Sequence, residues 1–540
     1  MLQPGLMMDR ALLISDVIEH AAAQFGDVEI VSRETHGLLF RYTYAECAAR
    51  ARRLANALEH LGLRAGEAVG TIACNNRRHL EAYYAVSGSG MVIHTCNPRL
   101  HPAQLIYIVN HAEDSVLLFD GNFARLIQGL APHCPKVKAW ICLSDAAHMP
   151  AVEGVANVLC YEDLIAPHSD RFDWPQFDER SGAALCYTSG TTGHPKGALY
   201  SHRSMVLNAI TCCLPGVMSI SPQDTILPVV PMFHVNGWCI PYAAPIGGAT
   251  LVLPGPHLDG ASLYELIEAE GVTVAAGVPT IWLSLMGHVE QGGLRFSTLR
   301  RVLVGGSAMP MALIAKYADE YGVEVRQGWG MTETVAAATM AGLSSRQMNL
   351  PAAARHACSA KQGKSAFGVE IKVIDEYGAT LPRDGISQGE LLVRGQWVIE
   401  RYYKTDATAL IDGWFPTGDI ATIDAQGTVQ IRDRAKDLIK TGGEWISSID
   451  LENAAIGHPA VAMAAVIGVK HPRWEERPLL CIVRKPAQAL ERDEILEFLA
   501  ARVVKWWLPE EVVFLESLPV GGTGKVQKAI LRERYGGIFN

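Results

Sequence analysis

The sequence predicts an α/β protein with an additional α+β part, and three observations lead to this fold class. Up to about residue 365, short apolar runs alternate with amphipathic stretches, which is typical of parallel sheets covered by helices. Beyond that point, strands with alternating apolar and polar residues indicate a small, mostly antiparallel part. The last hundred or so residues mix helix and strand signals. With 540 residues, the chain is too long for one core, so two or more domains are expected.

The first part of the chain contains helical stripes and buried runs in alternation. Its predicted elements are the helices 12–25 and 45–61, the strand 68–73, and strand–helix rounds over 80–92 and 105–119. The alternation continues with predicted strands at 183–187, 250–253, 272–275 and 301–304. The turn Gly305–Ala308 follows the last of these strands directly. Loops at the carboxyl ends of parallel strands are where such sheets bind ligands, so this turn is a candidate site.

The pattern changes in the last third of the chain. Strands predicted at 369–373, 390–394 and 429–432 form a β-rich subdomain from about 365 to 433. The charged segment Asp433–Asp437 separates it from the rest. Ser447, with an acidic residue three positions later, is predicted to begin a helix. Strands are also expected at 461–469 and 511–514.

Composition excludes several classes of function. The net charge is −9, from 47 basic and 56 acidic side chains, which argues against nonspecific nucleic-acid binding. The twelve cysteines show no Cys-x-x-Cys and no metal-ligand spacing, and residues 1–10 do not resemble an export signal. No apolar run is long enough to span a membrane. We therefore expect a cytoplasmic protein with free thiols and no integral membrane segment.

The stretch Tyr187–Gly197 is the strongest local signal. It places three glycines, four hydroxyl side chains and Lys196 within ten positions, directly after a predicted strand. Glycines let backbone N–H groups approach a phosphate, hydroxyls add donors, and the lysine adds charge. A flexible surface loop would explain the glycines alone but not the lysine. The Walker spacing is absent here, and the single Gly-Lys-Ser, at 363–365, lacks the first glycine because Cys358 stands in its place.

Further motifs accompany this stretch in a fixed order. They are Tyr187–Gly197, Pro231–Trp238, Gly305–Ala308, Gly328–Glu333, Thr417–Asp419, Asp433–Lys440, Gly442–Trp445 and Gly521–Lys525. With them, the chain resembles the adenylate-forming superfamily of acyl-CoA synthetases, luciferases and peptide-synthetase adenylation domains. It is most like bacterial medium- and long-chain fatty acyl-CoA synthetases, and relatives that activate methylthiopropionate share much of the same pattern.

The resemblance implies a domain organisation and a reaction. Residues 1–434 would form a large domain with two αβ sheets and the β-rich subdomain, and residues 435–540 a small mobile domain with the catalytic lysine. A carboxylic acid, ATP and CoA would give acyl-CoA through an acyl-adenylate, with release of AMP and pyrophosphate. The acid would be a medium- to long-chain fatty acid, and the alternative is methylthiopropionate or another short or aryl acid. Homodimers are common among such relatives, so a homodimer is a further expectation.

Site roles follow from the resemblance, position by position. Lys525 would be the catalytic cation that bridges the carboxylate and the α-phosphate. Glu333, together with Thr188, would ligate Mg²⁺, for which hard oxygen ligands are suited. Trp329 would stack on adenine, and Asp419 and Arg434 would bind the ribose. The full predicted ATP- and AMP-binding set is Thr188, Ser189, Gly190, Thr191, Thr192, Gly193, Lys196, Gly306, Ser307, Ala308, Gly328, Trp329, Gly330, Met331, Thr332, Glu333, Asp419 and Arg434.

The remaining implied roles concern the acid, CoA and domain motion. Lys436 would be the hinge. The predicted acyl pocket contains His234, Asn236 and Trp238, and the predicted CoA channel contains Lys440, Gly442, Gly443, Glu444 and Trp445. The Ala-rich segment 335–360 borders the acyl site in the family. Because its small residues would give an acyl pocket of different width or shape, the length of the acyl chain stays open.

Two other classes of acyl acceptor and one non-enzymatic class stay open at this stage. Adenylation could serve a carrier-protein thiol or oxygen instead of CoA, although Gly442–Trp445 favours CoA. A nucleotide-binding sensor without turnover is the rival from a different class. Intact candidate groups at Glu333, Asp419 and Lys525 argue against it. The negative charge also makes a lipid-surface or scaffolding role a poor fit.

Overall fold

The computed structural model describes residues 3, 5–188, 194–441, 444–486, 488–521 and 525–539. The chain divides into two compact units, each built from segments that are distant in sequence. Unit 1 consists of Met1–Pro215, Ser219–His257 and Arg401–Asp406, and unit 2 of Gly216–Met218, Leu258–Glu400 and Ala407–Asn540. The domain boundary expected after residue 434 stays a prediction.

Unit 1 alternates helices and strands along most of its length. Its helices are α1 (Ile14–Gln24), α2 (Tyr44–His60), α3 (Arg77–Gly88), α4 (Pro102–Ala112), α5 (Ala124–Leu130), α6 (Tyr161–Ile165), α7 (His202–Cys213), α8 (Val235–Trp238) and α9 (Ile240–Gly247). Its strands are β1 (Glu29–Arg33), β2 (Leu39–Thr43), β3 (Ala68–Ile72), β4 (Val92–Thr95), β5 (Val116–Phe119), β6 (Ala139–Cys142), β7 (Val158–Cys160), β8 (Gly182–Tyr187), β9 (Gly197–Ser201), β10 (Thr225–Pro228) and β11 (Thr250–Leu253).

A seven-stranded sheet in unit 1 carries the candidate phosphate loop. Its strand order is β7-β6-β5-β3-β4-β8-β9, and every neighbouring pair is parallel except β8 with β9. Strands β3 to β6 are buried along their whole length, as is usual for parallel strands with both faces covered, and β4 is buried even though it contains His94 and Thr95. The loop after β8 therefore leaves the sheet at the carboxyl ends of its parallel strands. In the same unit, β10, β11 and β1 pair in parallel, and β2 pairs antiparallel with β1.

Unit 2 contains the second half of the elements. Its helices are α10 (Gly260–Ala269), α11 (Pro279–Gln291), α12 (Met311–Tyr321), α13 (Ser345–Met348), α14 (Ala352–Ser359), α15 (Ser448–Ile456), α16 (Arg492–Ala500) and α17 (Lys528–Tyr535). Its strands are β12 (Val274–Gly277), β13 (Arg301–Val304), β14 (Glu324–Trp329), β15 (Thr339–Met340), β16 (Lys364–Ser365), β17 (Val369–Ile374), β18 (Gly389–Gly395), β19 (Phe415–Ile423), β20 (Val429–Arg434), β21 (Ile439–Thr441), β22 (Glu444–Ile446), β23 (Val461–His471), β24 (Glu475–Arg484) and β25 (Glu511–Leu515).

The strands of unit 2 form three arrangements. Strands β12, β13 and β14 are parallel, and β15 and β16 continue from β14 with antiparallel pairing. Strands β17 to β20 form an antiparallel meander. The C-terminal sheet has the order β22-β21-β24-β23, and β25 pairs in parallel with β24. Helices α15 and α16 contribute Leu451, Ile495 and Leu499 to the apolar core against this sheet.

These arrangements confirm the predicted fold class. Helix-covered parallel strands precede an antiparallel β-rich segment, and an α+β part ends the chain. The predicted cap is present as well, because the Ser447 hydroxyl accepts a hydrogen bond from the Asp450 N–H at 3.1 Å. All twelve cysteines lie in the described part of the chain as free thiols. No helix there has the length and hydropathy needed to cross a bilayer.

Candidate active site

Two hydrogen bonds between Thr188 and Lys196 close the base of the candidate phosphate loop in unit 1, one between main-chain groups and one from a main-chain N–H to a side-chain hydroxyl. The Thr188 N–H donates to the Lys196 carbonyl oxygen at 2.9 Å, and the Lys196 N–H donates to Thr188 Oγ1 at 3.1 Å. A hydroxyl offers one donor and two acceptor positions, so this second bond uses one of three. The predicted ligand residues between them, Ser189, Gly190, Thr191, Thr192 and Gly193, lie outside the described residues.

Aromatic rings that the sequence did not single out contact this loop. The Lys196 ammonium lies 4.8 Å from the centre of the Tyr402 ring, and the His194 ring stacks on Tyr107 at 4.4 Å. The Tyr403 N–H donates to the Gly197 carbonyl oxygen at 2.7 Å. All these residues belong to unit 1, although 402 and 403 are about two hundred positions from the loop. The sequence offers only a weak signal for these contacts, which is the run Tyr402-Tyr403-Lys404.

A buried carboxylate in unit 2 joins two of the predicted nucleotide residues. Asp419, 2% exposed, accepts the Trp329 indole N–H at 2.7 Å on Oδ2 and faces the Arg434 Nε at 2.9 Å with Oδ1. The register of β19 and β20 sets this geometry by placing Asp419 opposite Arg434. Burial raises the pKa of Asp419, and the Arg434 charge and the indole N–H oppose that rise. The hydrogen bond therefore fixes Trp329 and Asp419 to each other, so that the indole ring and the carboxylate lie side by side.

Lys525 reaches the same group of residues from the C-terminal part of unit 2. Its Cε lies 3.2 Å from the point where a Cβ on Gly306 would stand, so the glycine leaves room for the lysine side chain. Gly306 also has a φ of +84°, which L side chains rarely adopt. Burial and the nearby Arg434 charge lower the pKa of Lys525 to about 8, while the Asp419 carboxylate opposes the shift. The structure thus brings Gly306, Asp419, Arg434 and Lys525 together.

The predicted motif after β14 is held in a tight turn. A Cβ on Gly330 would come within 1.6 Å of the Ala336 carbonyl oxygen, so only glycine fits there. The Met331 N–H donates to Thr334 Oγ1 at 2.9 Å, and a 3-10 turn follows over Thr332–Thr334. Glu333 is 6% exposed, and its main-chain oxygen accepts the Ile399 N–H at 2.9 Å. Gly328, at the end of β14, carries the chain into this turn.

The chemistry of Glu333 fits the magnesium role. Mg²⁺ prefers hard oxygen ligands and usually takes few of them from protein, because substrate phosphates and water supply the rest. A single buried carboxylate meets that requirement. Thr188 belongs to unit 1, and its predicted role as a second Mg²⁺ ligand stays a prediction. Among the described residues, the groups of three side chains spaced to hold an ion lie elsewhere, at His36 with Asp145 and His148, and at His94 with Cys96 and Asp114.

The predicted acyl-pocket residues lie in and just before α8 of unit 1, whose backbone is a left-handed turn and not a regular helix. Val235, Asn236, Gly237, Trp238 and Cys239 all have positive φ, between 47° and 61°. Left-handed backbone costs energy at every non-glycine position, most of all at a β-branched residue, and it concentrates at functional sites. Asn236 is fully buried, and its Oδ1 accepts the Cys186 thiol at 3.0 Å. His234, half-buried, precedes the turn.

The remaining predicted residues that the structure describes are exposed or half-buried residues of unit 2. Lys440 and Trp445 are cross-strand neighbours on β21 and β22, with the ammonium 5.0 Å from the indole ring centre, and Glu444 beside them is exposed. Gly442 and Gly443 lie outside the described residues. Lys436 is exposed in the turn between β20 and β21. After β13, Ser307 is exposed and Ala308 is half-buried.

Sequence comparison assigns the family. The model of the AMP-binding enzyme family matches residues 18–403, and the model of the AMP-binding enzyme C-terminal domain matches residues 450–525. The chain belongs to the AMP-binding enzyme family. Both matched regions contain residues that the sequence predicts to be functional, since the first includes Lys196, Trp329 and Glu333 and the second ends at Lys525.

Relatives of this AMP-binding enzyme are similar over nearly their full lengths. A 3-methylmercaptopropionyl-CoA ligase of Ruegeria lacuscaerulensis is 48% identical over 532 residues, with 98% of each chain covered. A medium-chain-fatty-acid–CoA ligase of Ectopseudomonas oleovorans is 48% identical over 541 residues, with 99% of this chain and 98% of the relative covered. The ATP-bound crystal structure of MatB from Rhodopseudomonas palustris is 26% identical and superposes with a TM-score of 0.81, covering 97% of this chain and 100% of that one. This AMP-binding enzyme is an acid–thiol ligase.

Proposed function

We propose that this AMP-binding enzyme is an acyl-CoA ligase that forms AMP and pyrophosphate from ATP and joins a fatty acid to CoA through an acyl-adenylate. The observation that carries the proposal is the position of Lys525 beside Gly306, Asp419 and Arg434. A lysine from the C-terminal part of unit 2 adds positive charge to residues suited to a nucleoside. That combination is what adenylation of a carboxylate needs.

The first half-reaction joins two anions. A carboxylate oxygen attacks the α-phosphorus of ATP, an acyl–phosphate bond forms, and the bond to the β-phosphate oxygen breaks to release pyrophosphate. The carboxylate is already ionised near neutral pH, so no general base is required. Lys525 would stabilise the charge that develops at the α-phosphate, and Lys196 would hold the departing phosphates. Bound Mg²⁺, held by Glu333, would neutralise phosphate charge. Trp329 and Asp419 would fix the adenine and ribose.

The second half-reaction transfers the acyl group to sulfur. The CoA thiol releases its proton to solvent water, its sulfur attacks the acyl carbon, and the bond between that carbon and the AMP phosphate oxygen breaks to release AMP. Lys525 is not needed for this step, because AMP is already a good leaving group. We infer that the chain turns about Lys436 between the two steps, and that Lys440, Gly442, Gly443, Glu444 and Trp445 then line the pantetheine path. The exposed position of Lys436 in a turn supports this role.

The identity of the acid is the finer part of the proposal. We place medium- to long-chain fatty acids first, and the alternative is 3-methylthiopropionate or another short or aryl acid. Relatives of equal identity are named for a medium-chain fatty acid and for 3-methylmercaptopropionate. A turnover profile over straight-chain acids from three to eighteen carbons, with a thioether acid and an aryl acid added, separates them. A maximum at eight or more carbons supports the fatty-acid assignment, and a maximum at the thioether acid replaces it.

The mechanism is tested by separating the two half-reactions. We expect Lys525→Ala to lose adenylation by roughly 10²–10³-fold, the effect of removing one transition-state donor. Thioester formation from supplied acyl-adenylate and CoA should stay near the wild-type rate. Lys470→Ala, at an exposed lysine on β23, is the matched control. Equal loss in both halves would contradict the proposed division of labour.

Two further expectations belong to the proposal. We propose CoA rather than a carrier protein as acceptor, which an assay of thioester formation with each thiol decides. We also propose a cytoplasmic homodimer, which light scattering and fractionation can address. If no acid in a broad panel releases pyrophosphate while ATP still binds, a nucleotide sensor is the better assignment.

A further inference from the structure

The candidate phosphate loop is flanked by rings from two separate elements of unit 1. Tyr107, on α4, stacks nearly parallel on the His194 ring, with 4.4 Å between centres and 24° between planes. Tyr402, in the segment Arg401–Asp406, lies under the Lys196 ammonium at 4.8 Å. His194 and Lys196 are two positions apart, so both rings act on the same short end of the loop.

The two ring-bearing elements are fixed to each other and to the loop base. The Lys404 ammonium donates to the His111 carbonyl oxygen at 2.8 Å and pairs with Glu113 at 3.0 Å, which ties the segment 401–406 to the end of α4. The Tyr403 N–H donates to the Gly197 carbonyl oxygen at 2.7 Å. A Cβ on Gly197 would lie 3.1 Å from the Tyr403 Cβ, so this glycine permits the close approach. The segment that carries Tyr402 is therefore hydrogen-bonded both to the end of α4, which carries Tyr107, and to the base of the loop.

We propose that Tyr107 and Tyr402 are positioning residues for ATP, which hold His194 and Lys196 so that the lysine charge faces the phosphates before the nucleotide arrives. The inference rests on the proposed function, because it assumes that Lys196 binds the departing phosphates. It extends that function to residues outside the loop. In this proposal each tyrosine acts through its loop partner, Tyr107 through His194 and Tyr402 through Lys196, and not by contact with a reacting atom.

Physical chemistry explains why a ring suits this task. Lysine has a long, flexible side chain, and holding it on a ring face removes freedom that ATP binding would otherwise have to remove. A cation on a ring face still directs N–H groups away from the ring, so it can bind a phosphate at the same time. An acidic partner would hold the lysine more strongly, but it would repel ATP. Tyrosine and histidine rings position the loop without adding negative charge.

The test compares ring removal with ring retention. The variants are Tyr402→Leu and Tyr107→Leu, with Tyr402→Phe and Tyr107→Phe to keep the rings, and Tyr377→Leu as a control at a tyrosine that is 88% exposed. Mg·ATP affinity is measured by calorimetry, alongside KM for ATP, kcat and Tm. We expect Tyr402→Leu to weaken ATP binding by about two- to fivefold, the range of an exposed cation–π contact. Tyr107→Leu removes a ring stack on His194 and should weaken ATP binding by a similar factor of about two- to fivefold. In both variants kcat should be nearly unchanged. Both Phe variants should match the wild type.

A double-mutant cycle separates positioning from general stability. In the Lys196→Ala background, Tyr402→Leu should have no further effect on ATP affinity, because the ring acts only through the lysine. An additive loss would show that Tyr402 supports the fold instead, and the proposal would be wrong. Unchanged ATP affinity in both Leu variants, with Lys196→Ala still impaired, would also overturn it. If Lys196→Ala itself binds ATP normally, the phosphate role in the proposed function fails first, and calorimetry shows this without turnover.

Discussion

At the scale of single residues, Lys525 must be protonated for its proposed role, although its burial disfavours the protonated form. Burial lowers its pKa to about 8, so the ammonium form that adenylation requires is lost as the pH rises through that value. We predict that kcat/KM for ATP in the adenylation half-reaction decreases above about pH 8. A pH–rate profile from 6 to 10 measures it, and kcat/KM reports the free enzyme.

A charge-preserving substitution provides the control for this pH dependence. Arginine stays protonated throughout the range, so Lys525→Arg should have a lower rate but no decrease centred near pH 8. ATP phosphates favour the ammonium form, so the same decrease in kcat should be displaced to higher pH. A decrease at the same pH in the arginine variant would assign the titration to another group.

His202 provides a residue-scale prediction about stability. It is fully buried, its Nδ1 accepts the Ile14 N–H at 3.2 Å, and burial lowers its pKa to about 4 from the usual 6.5. Between those values the unfolded chain binds the proton and the folded chain does not, so stability is lost as the pH falls below 6.5. Moving from pH 7 to pH 5 should cost about 2 kcal/mol from this residue.

His202→Asn isolates that contribution. The amide oxygen can accept the same N–H without titrating, so the variant should lose less stability than the wild type over this pH range. Urea midpoints at pH 7 and pH 5 measure the difference, and other buried groups cancel because they are present in both proteins. Equal shifts in the two proteins would contradict the assignment.

At the scale of elements, α2 begins with a complete capping box. The Thr43 hydroxyl accepts the Glu46 N–H at 3.3 Å, and Glu46 Oε2 accepts the Thr43 N–H at 2.8 Å. We predict that Thr43→Ala lowers the free energy of unfolding by about 1 kcal/mol, whereas Thr43→Ser stays near the wild type. Urea denaturation followed by circular dichroism measures both. If Thr43→Ser lowers the free energy of unfolding as much as Thr43→Ala does, the threonine methyl group and not the cap is responsible.

The elements also show which sequence signals were sufficient. Strands β11 and β13 have the predicted bounds, because each is a short apolar run between turn residues. Between 77 and 95 the helix α3 precedes the strand β4, and both are almost wholly buried, so periodicity could not divide them. Strand β2 was missed because its first three residues are exposed and its pairing with β1 is what defines it.

At the scale of the whole molecule, the sequence predicted the motif residues better than the residues that contact and position them. Motif residues of unit 2 such as Gly306, Asp419 and Lys525 were found from sequence and lie together, although long stretches of chain separate them. Tyr107 and Tyr402 were not, because a ring under a lysine has no local pattern and depends on which distant segments pack together. The left-handed turn at Val235 was equally hidden, since no rule predicts positive φ at a β-branched residue.

The proposed turn about Lys436 gives the prediction that concerns the whole chain. Lys436 lies in the turn after β20, where the Ala435 N–H donates to the Gly418 carbonyl oxygen at 2.9 Å. Proline at 436 would fix its own φ and restrict residue 435, while alanine would remove the charged side chain and keep the backbone freedom. If the two half-reactions need different backbone geometries here, Lys436→Pro should slow thioester formation by roughly tenfold or more and spare adenylation.

Quench-flow measurement of pyrophosphate release and of acyl-CoA formation from supplied acyl-adenylate gives both rates. Lys436→Ala should leave the two rates within about threefold of wild type, because it keeps backbone freedom. Parallel loss of both rates in the proline variant would indicate a folding defect, which the Tm would reveal. Unchanged thioester formation with a normal Tm would instead remove the hinge from the mechanism, and the same chain conformation would then have to serve both steps.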